Sequence, residues 1–138
     1  MPVELQFLSA DEAEPIAREL LAQDIGGKFH AVLDRSRLLD EACVLLHDGV
    51  EYVGFATVTA NGETCEVYRF FVVPSKRGAG IGTDAARQLE RVLASDGYGM
   101  CYFQIDDEDA IRFWSRAVGP LQVVNETSGM YAKSLIDG

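Results

Sequence analysis

The chain has 138 residues, 48% of them hydrophobic, which is the length of one ordinary domain spanning 1–138 with enough apolar material for one layered core. Its formal net charge is −10 and its cations are mostly Arg, with Lys only at 28, 76 and 133. It therefore lacks the basic face that a nucleic-acid backbone requires, while an acidic field suits a cationic substrate. No apolar run reaches the ~18 residues that span a bilayer, and Met1-Pro2-Val3-Glu4-Leu5 lacks the basic and apolar regions of a secretion signal. A cytoplasmic protein without a membrane partner is expected.

Val3 to Leu8 alternates as a first strand. Ser9-Ala10-Asp11-Glu12 then gives a capping box ahead of apolar residues at 13, 16, 17, 20 and 21, which predicts an amphipathic helix ended by Gly26-Gly27. A less regular helical stretch follows from Phe29 to Leu39. Ala42 to His47, Tyr52 to Ala60 and Thr64 to Val73 are rich in Val, Phe, Thr and Tyr. They are separated by Asp48-Gly49 and Asn61-Gly62, dipeptides that favour tight hairpin turns, so the three runs read as an antiparallel meander. Apolar residues at 81, 85, 89, 92 and 93 mark one face of a helix over Gly82 to Ser95, closed by Gly97 and Gly99. Met100 to Ile105 is a strand, Asp106 or Asp107 caps a helix carrying Ala110, Phe113, Trp114 and Ala117, and Leu121 to Glu126 and Met130 to Leu135 are two last strands.

Cys43, Cys65 and Cys101 are odd in number, widely spaced and in strand-like segments, which argues for buried thiols over a disulfide framework. His30 and His47 share no local motif with a cysteine, so no metal is expected.

Chemistry concentrates at Val72-Val73-Pro74-Ser75-Lys76-Arg77-Gly78-Ala79-Gly80-Ile81-Gly82, a strand end followed by three alternating glycines and a helix. Glycine lets successive N–H groups turn toward one point, and the helix adds unsatisfied donors and the positive end of its dipole, so the run is built to hold an anion such as a diphosphate. A P-loop is excluded, because Ile81-Gly82-Thr83 supplies no lysine after the last glycine. The dinucleotide fingerprint fails too: Ala85 stands where its third glycine belongs, and hairpins precede the loop where a parallel βαβ unit is needed.

Val72-x-Pro74-x-x-Arg77-Gly78-x-Gly80-Ile81-Gly82 resembles the acetyl-CoA-binding signature of the GCN5-related N-acetyltransferases, and the order of elements around it resembles that family over nearly the whole chain. The resemblance implies an α/β fold of the α+β type, a mixed, mostly antiparallel sheet of about six to seven strands flanked by about four helices. It implies acetyl-CoA as cosubstrate, with the diphosphate on the backbone of Arg77, Gly78, Ala79, Gly80, Ile81, Gly82 and Thr83 and with positive charge from Arg77 and Lys76. The pantetheine arm would lie as an extra strand against the backbone of Phe71, Val72 and Val73, where one N–H faces the thioester oxygen.

Transfer to an alkyl amine of pKa near ~10 requires that the amine lose a proton and that the departing thiolate gain one or be hydrogen-bonded. Glu66, eleven residues before Arg77, stands where histone-acetylating members carry a general base. The family's helix pattern of Asn, Ala, Phe and Tyr reads here Asp107, Ala110, Phe113 and Trp114. Asp107 and Trp114 would therefore lie beside the coenzyme, and Trp replaces the tyrosine expected as general acid. An indole N–H donates a hydrogen bond but is no practical proton source. The segment up to Gly119-Pro120 is one residue longer than the family pattern, which puts Ser115 in register; Ser115 and Tyr131, with Tyr68 and Tyr102 behind them, are the candidate acids, and core packing is the preferred reading of Trp114.

The resulting expectation is an N-acetyltransferase acting on a primary amine of a small molecule or peptide. The alternative is a catalytically weak or inactive CoA-binding sensor of the same fold. Acceptor-pocket candidates are Asp24, His30, Asp34, Arg35, Glu126 and Tyr131, and a homodimer through the terminal strands or the meander fits the reading without a residue that specifies it.

Overall fold

The computed structural model describes residues 3–25, 43–105 and 107–136. Among the described residues, seven strands form one sheet in the order β1-β2-β3-β4-β5-β7-β6. β1 (Glu4–Leu8), β2 (Cys43–His47), β3 (Tyr52–Asn61) and β4 (Thr64–Val72) pair antiparallel in sequence. β4 then pairs parallel with β5 (Met100–Gln104), and β7 (Met130–Ser134) inserts between β5 and the edge strand β6 (Gln122–Asn125). Among the described residues the only parallel pair is β4–β5, which leaves the mixed sheet mostly antiparallel, and its crossover is helix α2 (Ile81–Ser95).

The elements follow local chemistry. Helix α1 (Ala10–Leu21) starts at Ser9, whose hydroxyl accepts the Glu12 N–H, as the capping pattern in the sequence predicts, and donates to Glu12 Oε1 at 2.9 Å, so that Glu12 answers through the Ser9 hydroxyl. Its apolar side, Ala13, Ala17, Leu20 and Leu21, is buried over β2 and β3. The helix ends at Leu21 with Ala22 as its cap, ahead of the expected Gly26-Gly27: Arg18 and Leu20 carbonyls are satisfied by the Ala22 N–H, and the chain turns there. Gly26-Gly27 and the helix expected over Phe29 to Leu39 lie outside the described residues.

Asp48-Gly49 makes a four-residue connection and not a two-residue turn. The Asp48 carboxylate accepts the N–H groups of Val50 and Glu51, each at 2.9 Å, and these bonds, Glu51 first, hold it below the usual carboxylate range. The tight turn expected at Asn61-Gly62 is present one residue on, as Gly62-Glu63 with Gly62 at φ 65°, because Asn61 still pairs with Thr64.

Helix α3 (Glu108–Val118) is capped by Asp107, whose Oδ1 accepts the Ala110 N–H at 2.7 Å. Together α2 and α3 cover one face of β4 and β5: Leu89 and Leu93 of α2 and Trp114 of α3 surround the same small apolar space as Val67, Cys101 and Phe103. The N-terminal strand is fastened to α2, because Asp84 Oδ2 accepts the Val3 N–H at 2.8 Å and Gln88 Nε2 donates to the Val3 carbonyl at 2.7 Å.

Candidate functional site

β4 and β5 pair over Thr64–Val67 and Met100–Phe103 only. β4 runs on to Val72 without that neighbour, because the register of β3 against β4 shifts between Thr57 and Val58, leaving Tyr68 as the extra residue of a bulge. Past the bulge, Phe70 and Phe71 point to opposite faces. Phe70 meets Phe113 and Trp114 of α3, with ring centroids 5.6 and 5.0 Å away, whereas Phe71 meets Phe55 at 5.8 Å.

The gap left between the end of β4, the glycine loop and α3 is a cleft of about 770 Å³. Phe70, Phe71 and Val72 form its β4 wall. Arg77, Gly78, Gly80, Gly82 and Thr83 form its loop end, and Asp107, Asp109, Ala110, Phe113, Trp114 and Arg116 form its α3 wall, with Asp24 beside Arg77.

The loop is shaped as an anion cradle. Gly78 and Gly80 both have φ 84°, a backbone that side chains with a Cβ rarely adopt. Gly80 caps α2, and Asp84 donates the first intrahelical bond, to the Gly80 carbonyl at 3.0 Å. The N–H groups of Ile81, Gly82 and Thr83 thus find no backbone acceptor among the described residues and face the helix N-terminus. Gly82 needs its missing Cβ for a different reason: that atom would lie 3.3 Å from Phe113 Cε1, so glycine lets α3 close on the start of α2. Free donors, two left-handed glycines and the helix dipole make a fit for a diphosphate.

Arg77 is folded back across the mouth of this cradle. Its Nε donates to the Val72 carbonyl at 2.8 Å, its Nη2 to Asp24 Oδ2 at 3.1 Å, and its guanidinium lies 5.4 Å from the centre of the Phe71 ring. Lys76 reaches instead toward the β2–β3 connection, 3.7 Å from Asp48 and 3.9 Å from Glu51, and does not line the cleft.

Of the residues singled out in the sequence, Phe71, Val72, Arg77, Gly78, Gly80, Gly82, Thr83, Asp107 and Trp114 come together around one cleft, with Ala79 and Ile81 in the same loop and Val73 buried behind it, its N–H on the Val53 carbonyl at 2.8 Å. Trp114 is buried among Phe70, Phe103 and Phe113, with centroids at 5.0, 4.5 and 5.3 Å, so it is packed into the core and also closes the inner end of the cleft.

The catalytic candidates stand apart from it. Glu66 is half-buried at the paired base of β4 and β5, opposite Tyr102 and Thr59. Ser115 accepts the Gly119 N–H through its carbonyl at the end of α3, and Tyr131 lies in β7 opposite Phe103; none of the three lines the cleft. Asp24 pairs with Arg77, Glu126 lies exposed in the β6–β7 turn, and His30, Asp34 and Arg35 lie outside the described residues. Asp109, Phe70, Phe113 and Arg116 were not singled out as ligand contacts, although Phe113 and Arg116 follow the face begun by Ala110 at helical spacing. Among the described residues no group of three His, Cys, Asp or Glu side chains is placed to hold a metal ion, and no helix is long and apolar enough to cross a membrane.

The model of the acetyltransferase (GNAT) family matches residues 8–119. No curated protein matches the chain. Among solved structures, the PaiA N-acetyltransferase of Thermoplasma acidophilum in complex with coenzyme A superposes with a TM-score of 0.68 at 16% identity, over 97% of this chain and 99% of that one. GCN5 of Tetrahymena superposes with a TM-score of 0.73 at 8% identity, over 96% of both chains. AtaTR bound with AcCoA gives 0.70 at 15% identity, over 97% of this chain and 94% of that one.

Proposed function

The chain belongs to the acetyltransferase (GNAT) family, and from that premise we propose that it is an acetyl-CoA-dependent N-acetyltransferase that acetylates a primary amine of a small molecule or peptide. The observation that carries this reading is the glycine cradle opening into the cleft where β4 runs on without β5. The loop N–H groups from Gly78 to Thr83 would take the diphosphate. The backbone of Phe71 and Val72 would take the amide groups of the pantetheine arm as an added strand, the Val73 N–H being held by the Val53 carbonyl, and Asp107 and Trp114 would flank that arm from α3. When bound, acetyl-CoA supplies an activated acyl group: the amine nitrogen forms the new C–N bond as the C–S bond breaks, and the proton lost by the amine balances the one the thiolate needs.

Arg77 has to turn from the Val72 carbonyl for a strand-like arm to use that acceptor, and its guanidinium then becomes available to the diphosphate. Glu66 lies in the paired stretch of β4 and β5 and outside the cleft lining, so its role as base would run through water that relays the amine proton. The acidic chain as a whole favours a cationic amine. The test is thiol release from acetyl-CoA with a panel of polyamine, aminoglycoside and basic-peptide amines. Turnover with any of them supports the reading, and absence of acetyl-CoA binding overturns it. Glu66→Gln is expected to lower turnover at unchanged coenzyme affinity; equal activity across a pH series removes Glu66 from the mechanism.

A second reading rests on Trp114. The position at which the family pattern carries a tyrosine holds a buried indole, which cannot protonate a thiolate, so a CoA-binding sensor of low activity is the alternative. Tight acetyl-CoA binding without turnover across the amine panel would select it.

A further inference from the structure

We propose that Arg116 meets the 3′-phosphate at the adenosine end of coenzyme A, making this chain prefer CoA over its 3′-dephospho form; the proposal rests on the coenzyme reading above.

Two guanidinium groups line the cleft, and they are not equivalent. Arg77 is already held by Asp24 at 3.1 Å and by the Val72 carbonyl. Arg116 is exposed, and among the described residues no carboxylate lies within ion-pair distance of it, although its neighbour Arg112 is shared between Glu108 and Asp109. In a chain of net charge −10, a cation left without a carboxylate beside an anion cradle is conspicuous.

Position then decides which anion it meets. Along α3 the cleft wall runs from Asp107 at the cap, past Phe113 against Gly82, to Arg116 one turn farther. The backbone at Arg116 is pinned beside α2, because Arg87 Nε donates to the Ala117 carbonyl at 3.0 Å and Arg87 Nη2 to the Arg116 carbonyl at 3.5 Å. With the diphosphate on the loop at Gly82 beside Phe113, and the pantetheine arm running back along β4 past Trp114 and Asp107, the adenosine arm would leave past Phe113, on the side of the loop away from β4. That is the side Arg116 occupies. A planar guanidinium free of other partners is the side chain best suited to a terminal phosphate.

The experiment is calorimetric titration of wild type, Arg116→Gln, Arg116→Lys and Arg112→Gln with CoA and with 3′-dephospho-CoA. One charge-assisted contact at an exposed site predicts about a tenfold preference of wild type for CoA. Arg116→Gln should lose that preference by weakening CoA alone, Arg116→Lys should keep part of it, and Arg112→Gln should keep all of it. Unchanged dephospho-CoA binding in Arg116→Gln serves as the folding control. Equal weakening of both ligands would move the contact to the diphosphate and overturn the proposal, as would no weakening of either. Failure of wild type to bind CoA at all would instead overturn the coenzyme reading, and this proposal with it.

Discussion

At the scale of single residues, the glycine loop makes two separable predictions. Gly80 is required for its backbone: at φ 84° no atom stands within 4 Å of a would-be Cβ, so the cost of a side chain is conformational and not steric. Gly80→Val is expected to lose about 1–2 kcal/mol from the left-handed penalty and to weaken acetyl-CoA binding at least tenfold as the cradle rearranges. Gly82 is helical and has no such penalty, and Gly82→Leu should act by driving Phe113 off the start of α2. Coenzyme titration beside urea unfolding checks both, and unchanged affinity in both variants would remove the loop from the site. A third residue tests the core. Thr57 is fully buried at the β3–β4 bulge, and among the described residues its Oγ1 has no hydrogen-bond partner. Removing an unsatisfied hydroxyl at constant shape relieves a desolvation cost, so Thr57→Val is expected to hold or raise stability by about 1 kcal/mol in urea unfolding. A loss of that size would mean that the hydroxyl is satisfied by water.

At the scale of elements, the strands and helices with strong local signals were legible in the sequence: the Ser9 capping box, the meander, the α2 face and the Asp107 cap each appear where the residues put them. What local pattern does not carry is pairing at a distance. The insertion of β7 between β5 and β6, the bulge at Tyr68 and the Asp24–Arg77 pair across 53 residues all depend on contacts that no window of sequence contains. The same limit separated the site into a legible part and a hidden part. The cradle is one continuous run and could be read, and the family resemblance pointed to Asp107 and Trp114 on the α3 wall, whereas Asp109, Phe113 and Arg116 needed the approach of α3 to Gly82. The cysteines show the reverse case, in which burial was readable and has a consequence. Desolvation in β2, with Glu14 adding, pushes the Cys43 thiol up to about 12. An unfolded-chain thiol ionises near ~8.5, so the contribution of Cys43 is fully present below that pH and is lost as pH rises toward its native value, where only the unfolded chain has released the proton. Urea midpoints should therefore fall between about pH 8.5 and 11, and more steeply in wild type than in Cys43→Ala. Parallel slopes would show that other groups account for the alkaline loss.

At the scale of the whole molecule, the unusual property is that an acidic protein is fitted to an anionic ligand. The net charge is −10, and the cleft itself does not reverse it, since Asp24, Asp107 and Asp109 line it against Arg77 and Arg116. Affinity for a diphosphate must then come from short-range contacts, the loop N–H groups and a few guanidinium hydrogen bonds, working against the long-range field. The two act over different distances and separate under salt: the field is screened beyond about 10 Å at 0.1 M ionic strength, while contacts at hydrogen-bond distance are screened much less. Raising ionic strength should therefore speed association of acetyl-CoA while leaving its dissociation nearly constant, the opposite of the behaviour of a basic coenzyme site. A cationic amine should associate more slowly under the same change. Trp114 is the only tryptophan and lines the cleft, so stopped-flow fluorescence reads the coenzyme step directly. An association rate for acetyl-CoA that falls with salt would mean that Arg77 and Arg116 dominate the approach path despite the total charge, and would withdraw the argument that the acidic surface selects a cationic acceptor.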